Sequence, residues 1–135
     1  MRRHLAALRL AVVNLRRHSD TTADQLRDNS DLRWLVERGL HLCSQNALDV
    51  ATHLALSAGH DAPDYATAID RLAEMDVLPN DFAAHFRAIA GFRNVLVHGY
   101  LDVDLDRIGR FLVRQLDDFE TFAHHVEQWL VSSGE

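Results

Sequence analysis

Apolar residues recur three and four positions apart along most of this sequence, and no segment shows the sustained alternation of a half-buried strand. The spacing predicts five amphipathic helices separated by polar segments, proline or glycine. The positions that define them are Leu5, Leu8, Val12 and Leu15 for the first, Trp34, Leu35, Leu42, Val50 and Leu54 for the second, Tyr65, Ile69 and Leu72 for the third, Phe82, Phe86, Ile89, Phe92 and Leu96 for the fourth, and Leu105, Ile108, Leu112, Leu116, Phe119, Val126 and Leu130 for the fifth.

Residues typical of helix ends stand between these segments. Ser30 or Asp31 is expected to cap the second helix, which would end near Gly59, and Pro63–Asp64 would open the third. Residues 20–30 form a connection, with or without a short helical piece, residues 77–80 separate the third and fourth helices, and Asp104 or Asp106 would cap the fifth. Wide apolar faces joined by mostly short connections favour an all-α fold, an antiparallel bundle of about five helices.

Length and composition fit one globular domain over residues 1–135, with 47% hydrophobic and 25% charged residues. The one cysteine, Cys43, excludes an intrachain disulfide and is expected to be a small core residue. No apolar run suggests a signal peptide or approaches the roughly 18 residues of a membrane span. We therefore expect a cytoplasmic protein without membrane contact.

The net charge of −6 argues against broad, nonspecific nucleic-acid binding but leaves room for a local cationic site. All 14 basic residues are arginine, which suits bidentate phosphate contacts. The nine histidines do not have the spacing of a compact zinc set, so no metal site and no cofactor is expected. Arg107, Arg110 and Arg114 form a row on the fifth helix, either an RNA track or a solvated face paired with Asp117 and Asp118.

Reactive side chains concentrate between Phe92 and Tyr100, where Arg93, Asn94, His98 and Tyr100 fall close together. On a straight helix, Arg93 and His98 differ in direction by about 140°, so one helix would not point both at one atom. A distorted helix, convergence of long side chains, or a second subunit would each resolve this. The plain structural alternative is that Arg93 extends its charge to solvent, Tyr100 packs in the core and His98 caps a helix C-terminus.

The pattern of arginine, four residues, histidine, one residue and tyrosine resembles the signature of HepT-type toxins in the HEPN (higher eukaryotes and prokaryotes nucleotide-binding) superfamily. Arg33, Glu37-Arg38 and the segment around Asp49 and His53 are also similar to the family's long second helix. The resemblance extends from about residue 32 to about residue 130. It implies a HEPN-type helical bundle with the activity of a metal-independent endoribonuclease.

The same resemblance implies a homodimer whose two motifs line a shared cleft. It also implies a toxin–antitoxin pair, in which an MntA-type minimal nucleotidyltransferase silences the toxin by AMPylation of Tyr100. A negatively charged adduct beside Arg93 would occupy the phosphate site and block the cleft.

The residue types suit this chemistry, because RNA carries its own nucleophile in the 2′-hydroxyl. Histidine as a residue type titrates near neutral pH, so His98 is expected to act as general base or acid. Arg93 would hold the phosphate, and Asn94 would orient either the phosphate or His98. Two alternatives stay open: a noncatalytic helical subunit that binds a nucleotide or substrate in a nucleotidyltransferase complex, and a plain interaction module in which the motif only packs a dimer.

Overall fold

The computed structural model describes residues 2–98 and 105–134, with the backbone alone at residues 97, 98, 111 and 113. Within these ranges the chain is helical and has no strand, as predicted. Seven α-helices are formed instead of about five, with the bounds α1 Arg2–Arg16, α2 Ala23–Asp28, α3 Ser30–Ser57, α4 Tyr65–Glu74, α5 Asn80–Phe86, α6 Ile89–His98 and α7 Leu105–Ser132.

Helix α1 runs antiparallel to both long helices, as the order of its contacts shows. Arg9 pairs with Glu127 of α7, whereas Arg16 pairs with Asp117 and Glu120, each with a nitrogen–oxygen distance of 2.8–2.9 Å. Toward α3, His4 is within 3.0 Å of Asn46, while Leu15 near the other end of α1 lies against Gly39. The predicted antiparallel packing is therefore confirmed for these helix pairs.

The core consists of the apolar faces of these helices and includes every apolar residue predicted for the first and fifth helices. Phe86 lies at its centre, stacked on Phe82 with ring centroids 5.1 Å apart and on Phe122 at 4.9 Å. Packing of this kind stabilises the bundle because large aromatic side chains remove much apolar area from water.

Helix α3 differs from the prediction at its start and on one face. Asn29, not Ser30 or Asp31, is the N-cap: its extended backbone lets Oδ1 accept a hydrogen bond from the amide of Leu32 at 3.1 Å. Val50 and Leu54 are buried as expected, but Trp34, Leu35 and Leu42 are 74%, 47% and 36% exposed. Other α3 residues, Val36, Leu40, Cys43 and Ala47 among them, fill the interior in their place.

The predicted fourth helix is two helices, because the chain turns at Arg87 and Ala88. The amide of Ala88 donates to the carbonyl of His85 and that of Ala90 to Arg87, both across three residues, as in a tight 3₁₀ turn. Phe86 and Arg93 therefore lie on different helices.

Of the other helix ends predicted from the sequence, some agree with the structure and some do not. Asp64 caps α4 by accepting from the amide of Thr67 at 2.7 Å, and α3 ends two residues before Gly59. Asp106 lies inside the first turn of α7 and is therefore not its N-cap, although a carboxylate there still favours the helix dipole. Asp104 lies outside the described residues.

Candidate functional site

Arg93 projects from α6 toward α3 and α4 and is half-buried. Its Nε donates a hydrogen bond to Oε1 of Gln45 on α3 at 2.8 Å. Its guanidinium carbon lies 5.4 Å from the centroid of the Tyr65 ring on α4, within the range of a cation–π contact. Two neighbouring helices thus hold this guanidinium in place.

Gln45 is the centre of the hydrogen-bond network around Arg93. Its Nε2 donates to Oδ1 of Asp49 at 2.8 Å and to the hydroxyl of Tyr65 at 3.2 Å. An arginine only donates and an ionised carboxylate only accepts, so the orientation of the amide is fixed by its partners. The network therefore determines where the guanidinium of Arg93 points.

Gln45 belongs to a row of half-buried polar residues on α3, which we call the polar stripe: Arg33, Glu37, His41, Gln45 and Asp49. Residues four apart are neighbours on a helix surface. Arg33 pairs with Glu37 at 2.8 Å, and Gln45 with Asp49, so these residues satisfy one another along the helix. Arg93 contacts the polar stripe at Gln45.

A cleft of about 460 Å³ opens where the polar stripe meets α6. His41 lies in it, with Nδ1 3.4 Å from Nη1 of Arg38. Burial, then the charges of Arg38 and Arg93, lower the pKa of His41, so its imidazole is neutral near pH 7. The lining residues are Trp34, Glu37, Arg38, His41, Gln45, Arg93 and Leu96.

Asn94 touches Arg93 but faces a different cleft. Its Oδ1 accepts a hydrogen bond from Nη1 of Arg93 at 3.2 Å. The second cleft, of about 510 Å³, lies between α4 and α6 and is lined in part by Asn94, Tyr65 and Arg87. Arg93 and Asn94 are therefore in contact, at the boundary between the two clefts.

The other two predicted site residues lie partly or wholly outside the description. His98 is the last residue of α6, and only its backbone is described; Tyr100 lies outside the described residues. From Arg93 to His98 the helix rises about 7.5 Å and turns by about 140°. The direction of the His98 side chain stays a prediction.

Neither a metal cluster nor a reactive thiol marks a further centre in the described part of the chain. Among those residues, no three histidine, cysteine, aspartate or glutamate side chains come together as a metal-binding group. Cys43 is buried, as predicted, and burial raises the pKa of its thiol to about 12. No described helix has the length and apolar character needed to cross a membrane.

Sequence reasoning missed Gln45, Tyr65 and His41 as parts of the site. The sequence did contain a signal for His41 and Gln45. Together with Glu37 and Asp49 they are spaced four residues apart, which places polar residues along one line of a helix. Tyr65 had no comparable signal, since its contact with Arg93 depends on how α4 packs beside α6.

The chain is similar in sequence to known ribonucleases. The family model described as "Ribonuclease HepT-like" matches residues 8–126. A tRNA nuclease HepT from Aphanizomenon flos-aquae is 23% identical over 121 residues, 88% of this chain and 82% of the relative. An mRNA nuclease HepT from Shewanella oneidensis is 24% identical over 99 residues, 73% and 74% of the two chains.

A solved structure shares the fold. The tri-AMPylated HEPN toxin of Shewanella oneidensis, in complex with its MNT antitoxin, matches with a TM-score of 0.81 and 20% identity. The match covers 93% of this chain and 95% of that one. The helical arrangement described above is therefore that of a HEPN toxin.

Proposed function

Because this chain belongs to the HepT-like ribonuclease family, we propose that it is an endoribonuclease toxin with its active site at Arg93, Asn94 and His98. One observation carries the assignment: Gln45 and Tyr65 hold the guanidinium of Arg93 at the edge of a 460 Å³ cleft. A cation fixed in advance stabilises developing phosphate charge without reorganising during the reaction.

The proposed reaction is an internal transesterification of RNA. The 2′-oxygen attacks phosphorus, its proton passes to a base, the bond from phosphorus to the 5′-oxygen breaks, and that oxygen receives a proton. His98 serves as proton donor or acceptor, Arg93 binds the phosphate oxygens, and Asn94 orients Arg93 through their hydrogen bond. Since the nucleophile is internal to RNA and the acid and base are side chains, the reaction is proposed to need no metal ion.

A homodimer is part of the proposal because Arg93 and His98 diverge on α6. With a helical turn of about 140° between them, the guanidinium of one subunit and the imidazole of its partner are better placed to meet at one phosphate. Two such composite sites would lie in a cleft shared by the two α6 helices.

Regulation by AMPylation is proposed for Tyr100. The support comes from the tri-AMPylated Shewanella oneidensis toxin bound to its MNT antitoxin, whose fold this chain shares. A phosphodiester on Tyr100 would place a negative charge two residues from His98 and compete with RNA for the cationic site. The proposed partner is a cognate nucleotidyltransferase antitoxin of the MntA type, which would transfer AMP from ATP.

The test is RNA cleavage by purified, unmodified protein in EDTA, comparing wild type with Arg93→Ala and His98→Ala. We expect cleavage by the wild type alone, with all three proteins equally folded by circular dichroism. A wild type that cleaves no RNA would favour the alternative of a noncatalytic nucleotide- or substrate-binding subunit. Incubation with the antitoxin and ATP should add AMP to the wild type but not to Tyr100→Phe, as read by intact-mass spectrometry.

A further inference from the structure

We propose that Trp34, Arg38 and His41 form with Arg93 a nucleotide-binding subsite for the RNA strand, in which the cations hold a phosphate and Trp34 stacks a base. The inference rests on the proposed ribonuclease function and extends its substrate site from the motif on α6 to the middle of α3. All four residues line one cleft of about 460 Å³.

The charge arrangement in the cleft favours an anion. Arg38 on α3 and Arg93 on α6 approach it from two different helices. The positive charges of both arginines lower the pKa of His41, which lies between Arg38 and Gln45 along α3. The one carboxylate of the lining, Glu37, accepts a hydrogen bond from Nε of Arg33 at 2.8 Å, so its charge is already opposed. A single phosphate group would thus meet a net positive site on a protein whose overall charge is −6.

His41 supplies a directed donor to this site. Because Arg38 only donates hydrogen bonds, the contact between its Nη1 and Nδ1 of His41 makes Nδ1 the acceptor. The proton of the neutral ring is then on Nε2, where it is available to a phosphate oxygen. A bound anion also favours the charged form of the ring, so binding should take up a proton.

Trp34 provides the surface for a base. Its side chain is 74% exposed, although a large aromatic ring gains most from burial. It lies one turn of α3 before Arg38, on the same wall of the cleft. Aromatic platforms beside backbone-binding cations are the usual means of holding single-stranded nucleic acid.

The experiment measures binding of a 2′-O-methyl oligoribonucleotide, which cannot be cleaved, across a series of salt concentrations. Arg38→Gln should weaken binding and reduce the slope of log affinity against log salt by roughly 0.7, the value for one lost phosphate contact. Trp34→Ala should weaken binding on the order of tenfold with an unchanged slope, because stacking is not ionic. Arg27→Gln, which removes an arginine of α2 outside the cleft, is the matched control and should change neither quantity.

A pH series isolates His41. Wild-type affinity should rise between pH 8 and pH 6, and His41→Gln should reduce this rise, while His53→Gln on the same helix should keep it. Competition with AMP and with inorganic phosphate separates RNA from other phosphate sources. AMP should compete better than inorganic phosphate because only AMP carries a base for Trp34, and the oligonucleotide should bind more tightly than either because its neighbouring nucleotides add phosphate contacts.

Several outcomes would overturn the subsite. If Arg38→Gln and Arg27→Gln had the same salt slope, the proposed phosphate contact of Arg38 would be contradicted. If Trp34→Ala bound with unchanged affinity, the proposed base contact would be contradicted. Failure of the ribonuclease function is a separate result, because a wild type that binds the oligonucleotide but cleaves no RNA still reports on the subsite. A wild type that binds no RNA contradicts both.

Discussion

At the scale of single residues, Gln45 is the side chain that joins Arg93 to Asp49 and to Tyr65 by hydrogen bonds. We expect Gln45→Ala to lower kcat for RNA cleavage by roughly 10- to 100-fold with a smaller change in KM, because a misplaced cation loses transition-state stabilisation more than substrate binding. Steady-state kinetics on a defined oligoribonucleotide would measure both constants.

The controls for this substitution come from the same helix. Gln45→Glu keeps an acceptor for Nε of Arg93 but loses the donor to Asp49 and places a second carboxylate beside it, so it should also fall below wild-type activity. Asn46→Ala changes the adjacent residue, which bonds to Leu42 and His4 instead, and should leave kcat unchanged. If Gln45→Ala and Asn46→Ala gave the same kinetics, Gln45 would have no role in positioning Arg93.

His41 should make folding stability depend on pH in a direction set by its lowered pKa. The unfolded chain binds this proton more readily than the folded chain, so the folded state loses stability as pH falls through and below the usual histidine pKa of about 6.5. His41→Gln removes that loss. Urea unfolding should therefore show the variant gaining stability relative to wild type at pH 5.5 compared with pH 8.

The sequence has nine histidines, so the comparison needs a matched variant. His53→Gln replaces an exposed histidine on the same helix. We compare how much the free energy of unfolding of each variant changes between pH 5.5 and pH 8. If that change were the same in His41→Gln and His53→Gln, the assignment to His41 would be contradicted.

At the scale of helices, the contact between α1 and α3 depends on a glycine. A Cβ at Gly39 would lie 2.5 Å from Cδ2 and 2.8 Å from Cγ of the buried Leu15. Alanine favours a helix over glycine by roughly 1 kcal/mol, but overpacking a core costs about 1–3 kcal/mol. We expect Gly39→Ala to lower the free energy of unfolding by about 1 kcal/mol, measured by urea denaturation.

The matched control for this substitution is Gly91→Ala on α6, where an added Cβ meets no atom within 4 Å. That variant should gain stability from helix propensity alone, by up to about 1 kcal/mol. Equal effects at the two glycines would show that α1 and α3 separate readily, and would contradict the close packing of Leu15 on Gly39.

Helix type and some helix ends, such as the Asp64 cap of α4, could be predicted from the sequence because they depend on local patterns. The apolar rows of α1 and α7 have a regular helical period, and all their predicted residues are buried. The break between α5 and α6 was missed because Ala88 and its neighbours carry no proline and the apolar period continues across the turn. The exposed face of α3 was missed because hydrophobicity alone does not distinguish a core residue from an exposed tryptophan.

The candidate site was predicted only as far as its motif. Arg93 and Asn94 follow from a short local pattern, and the structure places them in contact. Gln45, the partner of Arg93, is 48 positions away from it, and Tyr65 is 20 positions from Gln45. Such contacts depend on how α3, α4 and α6 pack, which no local spacing encodes.

At the scale of the whole molecule, Asp117 and Asp118 of α7 contact basic residues of other helices. Asp117 pairs with Arg16 of α1, and Asp118 lies 2.8 Å from His85 of α5. Exposed pairs of this kind contribute roughly 0–1 kcal/mol each. The predicted pairing of the row with Asp117 and Asp118 therefore meets competition from Arg16 and His85.

The composite active site makes a prediction that only an assembly of two chains can meet. If Arg93 of one subunit and His98 of the other act on one phosphate, a mixed dimer of Arg93→Ala and His98→Ala retains one intact site. Random subunit exchange makes half of the dimers mixed, so two inactive proteins mixed equally should regain roughly a quarter of wild-type activity.

RNA cleavage after co-refolding measures this recovery. The control is to mix either variant with the double variant, because only a mixture carrying both intact residues regains activity in this way. Since α6 turns by about 140° between Arg93 and His98, a mixture that stayed inactive despite verified subunit exchange would place both residues in the same subunit's site and require a distortion of the helix there.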